Sequence, residues 1–198
     1  GGGRVRGGGR RICGKMYGAG GGKARGGEGR AGKIGKWALD DGERMAEVAI
    51  AGGKPSGLGW AIAKRLVYEK KIGAGLKEKF GGRLRFFISG GAPLSKKINY
   101  FFAFAGIEIL EGYGMTESTA ATCCNLPGIN QIGTVGPAVP RMEIKIAEDG
   151  EILMRGPGVM REYWRLPEAT AETIKDGWLY TGDIGELSAD GFLRITDR

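Results

Sequence analysis

The sequence predicts an α/β fold in which a βαβ layer with parallel strands is followed by a C-terminal antiparallel portion of β-hairpins. Three observations lead to this class. Residues 84–118 alternate two short apolar runs with one helical pattern, two Asp-Gly pairs follow between strand-like segments, and 41% of all residues are hydrophobic. An apolar content of this size can form a sizeable core, so wholesale disorder is not expected.

The first 35 residues form a Gly/Arg-rich, poorly patterned segment. They contain sixteen of the forty glycines, and residues 1–36 hold ten Lys/Arg against the single acid Glu28. Each glycine disfavours helix by about 1 kcal/mol relative to alanine, so coil is predicted here. The net charge is +8 overall but −1 after residue 36, so the basic pI does not indicate a nucleic-acid footprint on the folded body.

Residues 36–80 are predicted to be helical. The stretch "KWALDDGERMAEVAIA" spaces its apolar residues as a helix does, and "GGKPSG" ends it. The next stretch, "LGWAIAKRLVYEKKI", predicts a second helix that buries Trp60, Leu66 and Val67. A short third helix is expected at "LKEKF".

Residues 81–138 are predicted to form the α/β unit. "LRFFIS" and "IEIL" are short apolar strands, and the helix between them begins in "APLSKK" with Pro93 near its first turn, where a missing N–H costs nothing. Both strands are expected to be parallel and buried. Because ligands bind beyond the carboxyl ends of such strands, "SGGAP" and "EGYGMTE" are expected to face one crevice.

Residues 139–198 are predicted to be mainly antiparallel. "MEIKIAEDGEILMRG" is typical of a hairpin that turns at Asp149-Gly150, and "IGELSADGFLRIT" of one that turns at Asp190-Gly191. A short helix is expected at "PEATAETI" between them.

Several polar residues near the strand ends match the parts of a nucleotide. The ring of Tyr113 can offer a face to a planar base, Thr116 a hydroxyl to a phosphate, and Glu117 a hard oxygen ligand to Mg²⁺. Asp183, in "YTGD", can accept the hydroxyls of a ribose, and the donor fork of Arg198 suits ribose and phosphate oxygens. The structural alternatives are a tight turn at "SGGAP" and a solvated, capped loop at "EGYGMTE".

Four motifs, in this order and spacing, resemble the adenylate-forming (AMP-binding) superfamily: "SGGAPL", "EGYGMTES", "GEILMRGPGVMREYW" and "DGWLYTGDIGELSADGFLRITDR". Together with "KRLVYEKK" and "GGRLRFFISGGAPL", they are most similar to long-chain fatty acid–CoA ligases. The resemblance is strong over residues 81–198 and traceable back to about residue 11. It implies a fragment of the large N-terminal domain, with a barrel-like antiparallel portion that ends at the hinge.

The resemblance also implies a role for each matched residue. Gly91, Ala92 and Pro93 match the segment that lines the adenine pocket, Tyr113 matches the ring that stacks on adenine, and Gly112 and Gly114 match glycines that keep the backbone close to nucleotide and acyl group. Thr116 matches the phosphate-contacting threonine, Glu117 the Mg²⁺-binding glutamate, Asp183 the ribose-binding aspartate and Arg198 the hinge arginine. Thr116 and Glu117 are therefore the candidate catalytic residues.

The implied reaction has two halves. A fatty acid or other carboxylate attacks the α-phosphate of ATP to give acyl-AMP and pyrophosphate, and the thiol of coenzyme A then displaces AMP. ATP, Mg²⁺ and coenzyme A are the implied cofactors and co-substrates, and the resemblance is compatible with peripheral membrane association of a full-length enzyme. A specific nucleic-acid partner is not expected.

Two parts of the family's machinery have no counterpart in this sequence. A Ser/Thr/Gly-rich phosphate loop with its lysine is missing from residues 1–80, and the sequence stops at Asp197-Arg198, before the domain that carries the catalytic lysine. We therefore expect a fragment with almost no adenylating activity that still holds ATP or AMP weakly.

Two alternatives stay open on the sequence alone. One is another branch of the superfamily: an aryl-CoA ligase, a fatty acyl-AMP ligase or a peptide-synthetase adenylation domain. The other is an RGG-type nucleic-acid-binding module based on Arg6-Gly7-Gly8 and Arg25-Gly26-Gly27.

Composition bounds the cellular setting. The three cysteines, Cys13, Cys123 and Cys124, make a poor disulfide framework, so reduced thiols are expected. The absence of His and of any CxxC pair argues against a zinc site. No apolar run approaches the length of a membrane span and no signal peptide is visible, which predicts a cytoplasmic protein.

Overall fold

The computed structural model describes residues 30–198, which fall into two compact units that divide between Ile109 and Leu110. This division lies within a strand, whereas the sequence pattern places boundaries after residues 80 and 138. The predictions for residues 1–29, including the two RGG elements and Cys13, lie outside the described residues.

The first unit opens with a 21-residue helix, α1 (Arg30–Ile50). This helix begins within the segment for which the glycine content predicts coil. Gly32 and Gly35 lie inside it, so the coil prediction is wrong for residues 30–35. The physical reason is that buried residues further along the helix, such as Leu39 and Ala46, stabilise it by packing, which outweighs a local propensity.

The next helix differs from its sequence pattern in length and in phase. α2 (Leu58–Ala63) continues directly into a π-helical segment (Lys64–Gly73) and then into α3 (Ala74–Lys79), so the two predicted helices are one continuous helical stretch. Trp60 and Val67 are buried as predicted, but Leu66 is 50% exposed. A π-helix has more residues per turn than the α-helix that the pattern assumes, so the buried stripe shifts and includes Tyr68 instead.

An aromatic cluster forms the core of the first unit. Trp60 and Phe104 lie edge to face with their ring centroids 4.6 Å apart, and Tyr68 packs edge-on against Phe101 and Phe104. Edge-to-face rings place the positive ring edge against the negative face of the neighbour, which adds to the free energy gained by burial. This packing joins the π-helical segment to the part of the chain that contains Phe101 and Phe104.

The strand–helix–strand order is as predicted: β1 (Phe86–Ser89), α4 (Lys96–Phe104) and β2 (Glu108–Tyr113). β2 begins in the first unit, where its neighbour in the sheet is β1, and ends in the second, where it pairs antiparallel with β3 (Cys123–Cys124). β2 is largely buried as expected. β1 is not, since its Ile88 is 68% exposed.

The helix between β1 and β2, α4, begins later than the sequence predicts. Ser95 is the N-cap residue of α4, so Pro93 precedes the helix instead of lying in its first turn. Ser95 has extended backbone angles (φ −61°, ψ 126°), so the helical conformation starts only at Lys96.

The second unit is an antiparallel sheet with one short helix. Its elements are β4 (Glu143–Ile146), β5 (Glu151–Arg155), α5 (Pro167–Thr173), β6 (Ile174–Lys175), β7 (Trp178–Leu187) and β8 (Leu193–Asp197). The strand order is β4-β5-β7-β6, and β8 also pairs with β7. Both hairpins turn as predicted, with positive φ angles at Gly150 and Gly191.

The core of the second unit includes buried side chains from β5, β7 and β8. Ile152, Met154, Leu179 and Leu193 are completely buried, and Tyr113 and Cys123 belong to the same cluster. The end of β2 therefore packs in the same core as side chains of β5 and β7.

None of the helices in the described part of the chain has both the length and the apolar character that a membrane span requires.

Candidate functional site

The "EGYGMTES" stretch combines a strand end with a tight turn. β2 continues through Tyr113, and a short 3₁₀ turn spans Thr116–Ser118. A Cβ on Gly114 would lie 1.5 Å from the carbonyl oxygen of Ala120, which no side chain permits. Gly114 is therefore required by the fold itself, because the chain folds back against this residue.

The residues after the turn hold strained backbone. Thr119 and Ala120 have φ angles of 55° and 79°, in the left-handed region that non-glycine residues rarely adopt. The hydroxyl of Thr119 donates a hydrogen bond of 2.7 Å to the carbonyl oxygen of Gly158. Such strain persists only where surrounding contacts determine the conformation, and it is common at functional sites.

Three predicted site residues come together around one carboxylate. The hydroxyl of Tyr113 donates a hydrogen bond of 2.5 Å to Oδ2 of Asp183, and Nε of Arg198 lies 3.5 Å from Oδ1. The Asp183 side chain is 14% exposed and the Arg198 side chain 48%. Burial and the bond to Asp183 raise the pKa of Tyr113 above its ordinary value of 10, so its hydroxyl stays a donor throughout the physiological range.

The Tyr113 ring is covered in this structure. Only 4% of the residue is exposed, and the ring belongs to the cluster that contains Ile152 and Met154. Stacking of this ring on adenine stays a prediction.

Asp183 lies in β7 at a β-bulge, where the pairing with β5 shifts its register. Gly182 has a φ of 71°, and its N–H donates a hydrogen bond of 2.7 Å to the Glu151 carboxylate. The N–H of Asp183 donates to the hydroxyl of Thr181 at 3.1 Å, and that hydroxyl donates to the carbonyl oxygen of Ile152 at 2.8 Å. These bonds fix the backbone on both sides of the carboxylate.

Glu117 is held by a loop that follows β5. Its Oε1 accepts a hydrogen bond of 2.8 Å from the hydroxyl of Tyr163, and its backbone carbonyl oxygen accepts one of 2.7 Å from the N–H of Met160. The bond to the carboxylate raises the pKa of Tyr163. Thr116 is exposed and Glu117 half-buried, so both side chains are accessible.

An open cavity of about 450 Å³ lies in the second unit. Its lining includes Glu117, Tyr163, Lys175, Thr181 and Gly182. The cavity is thus lined both by the glutamate of the β2 turn and by the backbone next to Asp183. This volume is within the range of small-molecule sites.

The "SGGAP" segment lies in the first unit. Gly91 has a φ of 78°, which confirms the positive φ that the tight-turn interpretation requires. Gly91 and Pro93 are exposed and Ala92 is half-buried. The role of these three residues in an adenine pocket stays a prediction.

Comparison with known proteins identifies the family. The family model described as "AMP-binding enzyme" matches residues 54–164, which is more than half of the chain. The chain belongs to the family of AMP-binding enzymes. The match includes the β2 turn and the loop that contains Tyr163.

Named relatives agree with this assignment. The chain is 44% identical over 138 residues to the long-chain-fatty-acid–CoA ligase FadD15 of Mycobacterium bovis, covering 70% of this chain and 22% of the relative. It is 34% identical to human long-chain-fatty-acid–CoA ligase 1, covering 82% of this chain and 24% of the relative. The chain thus spans about a quarter of the length of these relatives.

A solved structure supports the α/β fold. O-succinylbenzoate coenzyme A synthetase from Bacillus subtilis, in complex with AMP, is 30% identical, with a TM-score of 0.55. The match covers 65% of this chain and 30% of that one. The relatives named as fatty acid–CoA ligases do not favour the alternative enzyme branches or a nucleic-acid-binding module.

Two residues of the site, Tyr163 and Glu151, lie within the matched motif "GEILMRGPGVMREYW", but the sequence predictions include no role for either of them. Tyr163 lies in an irregular loop, 46 residues after Glu117, to which it donates a hydrogen bond. Glu151 accepts a hydrogen bond from the N–H of Gly182, 31 residues further along the chain. Neither separation follows a helical or strand period. For both, only the folded chain reveals the pairing.

Proposed function

We propose that this chain is part of an ATP-dependent fatty acid–CoA ligase and that residues 110–198 contribute the ribose and phosphate contacts of its nucleotide site. The observation that carries the proposal is the cluster of Tyr113, Asp183 and Arg198. It combines a carboxylate acceptor in β7 with a neighbouring cation, within a chain of the AMP-binding enzyme family.

The Asp183 carboxylate suits a ribose. Its two oxygens provide about four acceptor positions, of which the Tyr113 hydroxyl occupies one. The remaining positions can accept the two vicinal hydroxyls of a ribose. Because the Arg198 side chain is half-exposed beside this carboxylate, its other donors can reach a phosphate oxygen.

Glu117 is the residue that we propose for Mg²⁺. Among the described residues, no group of three or more His, Cys, Asp or Glu side chains could enclose a metal ion. Mg²⁺ often binds through one or two carboxylates together with waters and substrate phosphates, so Glu117 suits an ion that arrives with ATP. Thr116, whose side chain is exposed, would contact the phosphate beside it.

The chemical demand of the proposed reaction is electrostatic. A carboxylate anion attacks the α-phosphorus, the bond to pyrophosphate breaks, and the acyl-AMP then passes its acyl group to the thiol of coenzyme A with release of AMP. Mg²⁺, when bound, supplies positive charge to the phosphates. Arg198 adds a fixed cation, so the approach of two anions becomes less unfavourable.

The proposed acyl substrate is a long-chain fatty acid. The support comes from the relatives, several of which are named long-chain-fatty-acid–CoA ligases. Coenzyme A is the proposed second substrate on the same ground.

The experiment compares non-hydrolysable acyl-AMP mimics. Calorimetric titration of the folded chain with palmitoyl-, benzoyl- and aminoacyl-sulfamoyl adenosine reports both nucleotide and acyl preference. We expect binding of all three through the adenosine part, with the palmitoyl compound tightest. Tighter binding of an aryl or aminoacyl compound would indicate another branch of the family, and no binding by a folded sample would contradict the proposal.

A further inference from the structure

The loop after β5 makes three hydrogen bonds to the turn that contains Glu117. Besides the bonds from Tyr163 and Met160 to Glu117, the hydroxyl of Thr119 donates to Gly158. Two of these bonds fix backbone. Only the Tyr163 hydroxyl reaches the carboxylate itself, at 2.8 Å from Oε1.

Tyr163 is itself held in place. Its N–H donates a hydrogen bond of 3.0 Å to the hydroxyl of Thr170, in α5, and that hydroxyl donates to the carbonyl oxygen of Leu166 at 2.8 Å. The side chain of Tyr163 is half-buried and lines the same cavity as Glu117. Tyr163 is therefore anchored to α5 through its backbone N–H and to Glu117 through its side-chain hydroxyl.

We infer that Tyr163 is a positioning residue that orients the Glu117 carboxylate toward a magnesium–ATP complex. A single carboxylate on a short turn can rotate freely, and a hydrogen bond to one oxygen fixes the direction in which the other oxygen points. Partners of this kind around metal ligands commonly contribute about 10- to 100-fold to metal affinity. The inference rests on the proposed function, in particular on Mg²⁺ binding by Glu117.

The test measures ATP binding with and without the metal. Calorimetry gives the affinity of the full chain for ATP in MgCl₂ and in EDTA, and for AMP as a ligand without the β- and γ-phosphates. For Tyr163→Phe we expect the gain in ATP affinity caused by Mg²⁺ to fall about 10-fold, with AMP affinity within about 2-fold of wild type. The variant keeps the ring, and circular dichroism checks its fold.

Two further variants separate positioning from a general structural effect. Tyr180→Phe removes a hydroxyl from the same cavity but leaves the bond to Glu117, so the gain caused by Mg²⁺ should not change. In a Glu117→Gln background, Tyr163→Phe should have no additional effect, because the two residues act as one unit. A purely structural role for Tyr163 would give additive losses instead.

The outcomes distinguish the inference from the proposed function. If wild type gains affinity with Mg²⁺ and Tyr163→Phe gains equally, the positioning role is wrong while the proposed function stands. If wild type gains nothing from Mg²⁺, the proposed role of Glu117 is wrong, and the role of Tyr163 falls with it.

Discussion

The hydroxyl of Tyr113 donates a hydrogen bond to the carboxylate of Asp183, 70 residues further along the chain. This contact joins the end of β2 to the middle of β7 and places a buried ring beside a half-buried carboxylate. Under the proposed function, stability and nucleotide binding would depend on the same pair of side chains.

The Tyr113 hydroxyl contributes to stability. In Tyr113→Phe the ring remains but the bond to a charged acceptor is lost, so we expect the free energy of unfolding to fall by about 1.5–3 kcal/mol. Urea denaturation measures this change. Tyr180→Phe, on the same strand as Asp183, serves as the control and should change stability by less than about 0.5 kcal/mol. An equal loss in both variants would contradict a specific role for the Tyr113–Asp183 bond.

The same side chain gives the protein a pH dependence in the alkaline range. The pKa of Tyr113 is raised in the folded state above the ordinary value of 10, so folding is stabilised most below pH 10. As the pH rises above 10, the unfolded chain loses this proton first, and stability falls. We expect Tyr113→Phe to show a shallower fall than wild type between about pH 9 and 11, measured by urea denaturation. Identical slopes would mean that this pKa is not raised.

Gly114 and Gly112 should respond differently to the same substitution. A Cβ on Gly114 would collide with the Ala120 carbonyl at 1.5 Å, whereas a Cβ on Gly112 would lie 3.3 Å from the nearest atom, the carbonyl oxygen of Cys123. We expect Gly114→Ala to lower the free energy of unfolding by at least about 2 kcal/mol, because backbone must move. Gly112→Ala is the matched control and should cost less. A larger loss of unfolding free energy in Gly112→Ala than in Gly114→Ala would contradict the close approach of Gly114 to Ala120.

The two described cysteines should be unreactive in the folded protein. Burial raises the pKa of Cys123 to about 12 and also raises that of Cys124, so little thiolate is present near neutral pH. In a Cys13→Ser variant, we expect alkylation by iodoacetamide to be much slower in buffer than in urea. Mass spectrometry of the modified peptide measures both rates. Equal rates would contradict the burial of Cys123 and the raised pKa of both thiols.

Regular patterns account for the parts of the fold that sequence predicts well. The pairs at Gly150 and Gly191 turn the hairpins as expected, because Asp-Gly readily adopts the required positive φ. The spacing of apolar residues predicts which side chains are buried only where the helix keeps α-helical geometry. At Leu66 the π-helical geometry changes the phase, so this residue is exposed although an α-helical period buries it.

The sequence predicted the position of Glu117 correctly, just after the end of β2, but Asp183 lies within β7 and not beyond a strand end as predicted, because β7 continues past it to Leu187. The contacts that support the site were not predicted. Tyr163 reaches Glu117 across 46 residues, and this distance is set by the packing of a loop without any sequence period. Gly114 shows a second limit, since its close approach to Ala120 depends on the exact geometry of the turn between them.

The most direct test of the proposed nucleotide site is whether Asp183 recognises the ribose. Calorimetry compares AMP with 2′,3′-dideoxyadenosine monophosphate for wild type and Asp183→Ala, with circular dichroism as the check on folding. We expect wild type to bind AMP about 10-fold more tightly than the dideoxy compound, and Asp183→Ala to bind the two equally, because the paired hydroxyls lose their acceptor. Failure of a folded wild type to bind AMP, or an undiminished preference in Asp183→Ala, would contradict the account.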